Sequence, residues 1–197
     1  FELLSKEKVN VDLIIQSTQA KNSNDITFTV NEKDFSRAQV ICKEFIERFE
    51  GSLTTESQMS KLSISGAGIM GRPGIAASLF DTLSREGINL RLIATSEVKV
   101  SCVIKENLGN KGLRAVSSTF ELNEDQIKIN PVLNANNLPE VRGVALDIDQ
   151  AQLSVLHVPD KPGTAAALCA SMADNSISLD AIVQSERQHH DGTRDIS

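Results

Sequence analysis

The chain has 197 residues, with 20 Lys+Arg against 26 Asp+Glu for a net charge of −6, and 40% hydrophobic against 23% charged residues. This acidic balance lacks the basic footprint that nucleic acid or an anionic membrane requires, and no apolar run approaches the ~18 residues that span a bilayer. Trp and Tyr are absent, so the core is aliphatic, and base stacking or aromatic cages are excluded as binding modes.

FELLSKEK (1–8) reads as the tail of a helix, and VNVDLIIQS (9–17) as a strand. Ile26, Phe28 and Val30 alternate in a second strand. Asp34 or Ser36 can cap the helix that follows, which places Ala38, Ile41, Phe45 and Phe49 on one face and stops at Gly51. Leu62 and Ile64 alternate in a strand that runs into a Gly/Pro turn. A helix comes next, with Ile75, Ala76, Leu79, Phe80 and Leu83 on one stripe and Gly87 as its left-handed stop. Ile88, Leu90 and Leu92 form a strand, followed at once by another with Val98, Val100, Cys102 and Ile104 on one face. Gly109 and Gly112 lead into a short helix carrying Leu113, Val116 and Phe120, and QIKIN (126–130) predicts a final strand. NPVLNANNLPE (130–140) is polar, holds two prolines and reads as a linker, after which VRGVALD (141–147) opens a new strand.

The pattern repeats. KLSISGAGIMGRPGIAASLFDTLSREGINLRLIATSE (61–97) aligns with QLSVLHVPDKPGTAAALCASMADNSISLDAIVQSE (152–186), matching Pro73-Gly74 to Pro162-Gly163, Leu79 to Leu168, Ile88 to Ile177 and Ser96-Glu97 to Ser185-Glu186. VNVDLIIQS (9–17) matches ISLDAIVQS (177–185), and NDIT (24–27) matches RDIS (194–197). The unit order is β-α-β-β-α-β, an α+β, ferredoxin-like pattern with an antiparallel sheet and helices on one face. The expected divisions are a partial unit over 1–58, a complete unit over 59–130, a linker over 131–140 and a further, truncated unit over 141–197. The chain thus reads as a piece of a tandem array. Incomplete units expose strand edges, so the two ends are expected to pair with each other or with another chain.

GAGIMG (66–71) matches a dinucleotide-binding G-x-G-x-x-G, with Glu97 as the acid at the end of the next strand. A dinucleotide fold needs a crossover after that second strand, whereas KVSCVIK follows directly as a hairpin. The matching copy replaces the glycines with HVPDK and keeps only the Pro-Gly. PDKPGTAA (159–166) and GRPGIAA (71–77) each set Pro-Gly at a strand-to-helix turn, where unpartnered N–H groups and the helix dipole can receive a carboxylate. His157, His189 and His190 have no metal-ligand spacing around them, and no nucleophile with a base partner can be argued, so no catalytic residue is assigned. Cys42, Cys102 and Cys169 are scattered within apolar patterns and read as buried, reduced thiols, which points to a cytoplasmic setting.

These motifs carry a family resemblance. VRGVALD, PDKPGTAA, SLDAIVQS and TRDIS resemble the first ACT unit in the regulatory region of aspartate kinases, and SGAGIMGRPGIAASLFDTLSREGINLRLIATSEVKVSCVI resembles the second. The order of the units is similar to the type with four ACT units in two pairs, associated with cyanobacteria. The resemblance implies feedback control of aspartate phosphorylation by lysine, threonine or both, bound at interfaces between ACT units that also build homodimers. It implies no cofactor in this segment, ATP and Mg belonging to a kinase domain elsewhere. Carried over by position, the effector site of the C-terminal unit would use Asp160, Gly163, Ala165 and Gln184, with Gln16 and Asp25 as counterparts in the opening unit. In the middle unit the matching positions are Met70, Gly74, Ile75, Ala76, Asn89, Leu90, Thr95, Ser96 and Glu97. Arg91 stands where Asp12 and Asp180 stand in the other copies. That departure favours the rival expectation of an assembly module that binds no effector.

Overall fold

Two sheets organise the chain in a computed structural model that describes residues 1–18, 24–48, 51–69, 72–96, 98–129, 151–177, 179, 181–184 and 192–197. The expected linker, the VRGVALD strand and Phe49 lie outside the described residues.

Helix α1 (Glu2–Lys6) leads to a hairpin of β1 (Val11–Thr18) and β2 (Asn24–Val30), and α2 (Phe35–Ile46) follows. The hairpin is a two-stranded antiparallel sheet with Gln16 opposite Ile26 and Ser17 opposite Asp25. Leu4, Val9 and Ala38 form its small core, with Val11, Phe28, Val30 and Ile41 packed against them. Asp34 does not cap the backbone of α2; its carboxylate takes a hydrogen bond from Arg37 at 2.6 Å. Of the expected helix face, Ala38 is buried and Phe45 is 47% exposed.

The middle unit contains β3 (Met59–Ser65), α3 (Ile75–Arg85), β4 (Leu92–Ser96), β5 (Lys99–Lys105) and α4 (Gly109–Thr119). β5 lies between β3 and β4 and runs antiparallel to both. β3 and β4 are therefore parallel, joined over one face by α3, the split β-α-β of a ferredoxin-like unit. Two expectations shift here. The strand anticipated from Ile88 begins only at Leu92. QIKIN does not form a strand over its described residues: a 3-10 turn at Glu124–Gln126 is closed by a capping box between Asn123 and Gln126, and Ile129 is 71% exposed. Ile127 after the turn is extended (φ −93°, ψ 121°), but no described strand pairs with it.

The C-terminal unit supplies β6 (Val155–Pro159), α5 (Thr164–Asp174), β7 (Val183–Gln184) and β8 (Thr193–Ile196). It joins the middle unit edge to edge, giving one six-stranded sheet in the order β3-β5-β4-β7-β8-β6. β4 and β7 pair antiparallel, Ile93 with Gln184 and Ala94 with Val183. One continuous core spans both units, with Leu79, Phe80 and Leu83 of α3, Ala165, Ala166 and Cys169 of α5, and Ile93, Cys102, Ile104 and Ile196 of the sheet. The β7 edge of the C-terminal unit is thus closed by β4 of the middle unit, while β6 stands at the outer edge of the sheet among the described residues, paired only with β8. The opening hairpin lies on the helix-free face instead, with Ile15 against Leu92 and Val103, and Asp12 paired with Lys61.

Candidate functional site

The recurring Pro-Gly turns place the site. Gly74 and Gly163 start α3 and α5 with almost identical backbones, φ 99° and ψ −17° against φ 99° and ψ −18°. That left-handed conformation is one glycine adopts without the Cβ penalty. The two helices pack against each other in opposite senses. A Cβ on Gly163 would meet Ser84 Oγ at 2.9 Å, and one on Gly74 would meet the Ala173 methyl at 3.9 Å. Ser84 and Ala173 hold the same place in the two repeat copies, so a local pseudo-twofold axis relates the units. Each Pro-Gly turn consequently faces a segment of the other unit.

The first cleft lies between the α5 turn and residues 88–90 of the middle unit. It is lined by Asp160, Gly163, Thr164, Ala165, Gln184 and Arg194 on one side and by Ile88, Asn89 and Leu90 on the other. Asn89 Nδ2 donates to Asp160 Oδ1 at 2.9 Å, and Arg194 Nε lies 2.8 Å from Asp160 Oδ2. Arg194 Nη1 donates to the Arg91 carbonyl at 2.6 Å, and Gln184 Nε2 to the Leu90 carbonyl at 3.2 Å. The Arg194 and Asp160 side chains are 2% and 5% exposed, so this is a buried ion pair joining β8 to the turn before α5, against residues 89–91 of the middle unit. The remaining cavity is ≈ 20 Å³, room for about one water.

The second cleft is its pseudo-symmetric mate. Gly74, Ile75, Ala76, Thr95 and Ser96 face Cys169, Ile177, Leu179 and Ile182 around ≈ 40 Å³. Thr95 Oγ1 accepts the Ile182 N–H at 2.7 Å, reaching across the interface as its counterpart Gln184 does in the first cleft. Gly71 stands in sequence where Asp160 stands, and the described residues lining this cleft include no acid.

Asp160, Gly163, Ala165 and Gln184 line the first cleft together. Asn89 and Leu90, grouped in the sequence with the middle unit's own turn, sit instead with Asp160 in the first cleft. The middle unit's Gly74, Ile75, Ala76, Thr95 and Ser96 form one wall of the second. Met70 and Glu97 lie outside the described residues. Gln16 and Asp25 are not brought together: they lie at adjacent ladder positions of the hairpin, whose side chains alternate between faces. Arg194 was assigned no role in the sequence; the signal for it was a cation within TRDIS where the opening copy has Asn24.

The antiparallel hairpin of β4 and β5 pairs Ser96 with Lys99, which leaves no crossover for a dinucleotide site at GAGIMG. No group of three or more His, Cys, Asp or Glu is placed to hold a metal among the described residues; His189 and His190 lie outside them. No described helix is long and apolar enough to cross a membrane. Burial pushes the Cys102 thiol up to about 12 and the Cys169 thiol to about 11, and all three cysteines are free.

The family model for the ACT domain matches residues 62–120. Aspartokinase 2 of Bacillus subtilis is 37% identical over 125 residues, covering 63% of this chain and 30% of that protein. The chain thus spans about 30% of the length of the curated relatives it matches. Among solved structures, aspartate kinase from Synechocystis aligns over 100% of this chain and 34% of its own, with 41% identity and a TM-score of 0.86. The regulatory subunit of aspartate kinase from Thermus flavus aligns with 30% identity and a TM-score of 0.56, over 61% of this chain and 80% of that subunit. With its repeated split β-α-β units paired edge to edge, this chain belongs to the ACT-domain family of aspartate kinase regulatory regions.

Proposed function

We propose that the chain is the ACT region through which an amino acid (lysine, threonine or both) controls aspartate phosphorylation by an attached kinase. The observation that carries this is the convergence of Asp160, Gln184 and the α5 turn with Asn89 and Leu90 of the neighbouring unit. An α-carboxylate fits the first-turn N–H groups of α5, where the helix dipole favours negative charge. An α-ammonium fits the Asp160 carboxylate and the carbonyls of residues 90 and 91. Such a ligand touches both units at once, so it favours whichever arrangement of the units lets both sets of contacts form. A differential affinity worth about 1–3 kcal/mol is enough for control of this kind. ATP and Mg serve the kinase part of such an enzyme, and the binding chemistry proposed for this chain uses neither. Further ACT–ACT contacts with a second copy, and a cytoplasmic setting, belong to the same reading.

Thermal denaturation with lysine or threonine tests the reading. A ligand at about 100 times its dissociation constant adds about 2.7 kcal/mol of stability, and Asp160→Asn should remove the shift. If neither amino acid moves the midpoint, the second reading gains: a non-binding assembly module. Its support is the cleft itself, whose acid and amide are already engaged within the protein around only ≈ 20 Å³.

A further inference from the structure

We infer that Arg194 is a built-in occupant of the ammonium position in the first cleft, so that an amino acid enters only by displacing it. The inference rests on the proposed function for the class of ligand, though not for the existence of the cation subsite.

An ammonium subsite is a set of acceptors around one anion, and Arg194 sits in such a set. Its Nε lies 2.8 Å from Asp160 Oδ2, and its Nη1 donates to the Arg91 carbonyl at 2.6 Å. Asn89 holds the other carboxylate oxygen at 2.9 Å and so orients the acid toward the cation. The acceptors come from the turn before α5 and from the middle unit, while the cation comes from β8. The guanidinium therefore bridges the same elements that an effector would bridge. Burying a charge is costly unless it is paired, and here both partners are buried together. With the guanidinium in place beside Asp160, the cavity left is ≈ 20 Å³, room for about one water.

The repeats supply an internal comparison. The position of Arg194 is held by Asn24 in the opening copy, and the strand register sets Val98 there in the middle copy. The middle copy also has Gly71 in place of Asp160. Acid and arginine occur together at these positions in one copy and are both replaced, by Gly71 and Val98, in the other, which is the pattern of a matched pair. Arg194 is not placed to receive the effector's carboxylate. A carboxylate against this guanidinium would lie beside the Asp160 anion, whereas the first turn of α5 offers N–H groups free of that repulsion.

An occupant tied to the site competes at a fixed effective concentration. It lowers apparent affinity by the fraction of time the cleft is open. Arg194 therefore sets the effector concentration at which the cleft responds.

The test uses the 197-residue chain as wild type, Arg194→Ala, Arg194→Asn and the double variant Asp160→Asn with Arg194→Ala. Arg194→Asn carries the side chain of the opening copy, so the readout does not depend on one substitution folding. Thermal midpoints are measured in methylammonium chloride against sodium chloride of equal ionic strength. Binding of lysine and threonine is measured by calorimetry. Methylammonium should raise the midpoints of both single variants and leave the wild type and the double variant unmoved. The amino acid that binds should bind the single variants about tenfold more tightly than wild type, equivalent to about 1.4 kcal/mol. Selective stabilisation by methylammonium with no binding of either amino acid supports the cation subsite and removes the amino-acid reading. Equal methylammonium effects on wild type and single variants overturn the inference, as does weaker amino-acid binding by Arg194→Asn than by wild type.

Discussion

Ala94 of β4 lies directly opposite Val183 of β7, and the two hold the same position in successive repeat copies. A strand pair centred on equivalent residues has a twofold axis through its middle. Everything placed by one unit is then placed again, in the opposite sense, by the other. This is why each Pro-Gly turn faces the residues after the neighbouring unit's helix, and why two clefts arise from one interface.

The Pro-Gly turns should respond unequally to the same substitution. Gly74→Ala and Gly163→Ala both force a Cβ into a φ of +99°, a cost of about 1–2 kcal/mol. Only at Gly163 would the new methyl also meet Ser84 Oγ, at 2.9 Å. Urea unfolding should show Gly163→Ala as the more damaging. Ser84→Ala should recover part of that loss and none of the loss at Gly74.

The buried pair between Asp160 and Arg194 should behave differently from surface pairs. Asp160→Ala leaves a buried guanidinium with its principal anion gone, and the expected loss is about 3–5 kcal/mol. Removing both partners should cost less than the sum of the single losses, which a double-mutant cycle measures. Asp81, paired with Arg85 on the exposed side of α3, provides the contrast, and Asp81→Ala should change stability by less than about 1 kcal/mol.

Core and turn positions separate cleanly at the middle unit. Leu83 is fully buried between α3 and the sheet, and Leu83→Ala should cost about 2–5 kcal/mol. Ile129→Ala should stay within about 0.5 kcal/mol, because that side chain is largely in solvent. A loss at Ile129 as large as that at Leu83 would mean that the QIKIN segment packs as a strand after all.

Alkaline pH should reveal the Cys102 thiol. Its ordinary value is 9.0 and burial pushes it up to about 12, so the folded state keeps a proton that the unfolded chain gives up. The stabilisation is fully present below pH 9, falls as pH rises through that range and is lost near pH 12. In urea melts the advantage of wild type over Cys102→Ala should therefore shrink from pH 8 to pH 11. Cys42, half-buried where Cys102 and Cys169 are buried, should react first with a thiol reagent.

Much of the fold was legible because the repeats carry it. Leu79, Phe80 and Leu83 fall on one helical stripe, and all three are buried. Gly87, expected as the stop after that helix, has φ +69°. QIKIN reads as a strand because Ile127 and Ile129 alternate correctly and Ile127 is indeed extended, but a strand also needs a partner, and none of the described strands pairs with residues 126–129. The grouping of Asn89 and Leu90 with their own turn followed chain proximity. The antiparallel β4–β7 pairing hands them to the other unit, and that pairing depends on two strands far apart in sequence. Arg194 was the least legible. A cation in a short strand reads as solvent-facing, and its burial depends on tertiary partners such as Asp160 and the Arg91 carbonyl.

The packing of α3 against α5 joins two stretches of a single polypeptide. Separate molecules would make such a contact in proportion to their abundance. When the partners are tethered, their local concentration is set by the connection and is on the order of millimolar for short flexible tethers. Dilution does not dissolve this contact, and neither does low expression. The contact that builds the two clefts is therefore a property of each molecule.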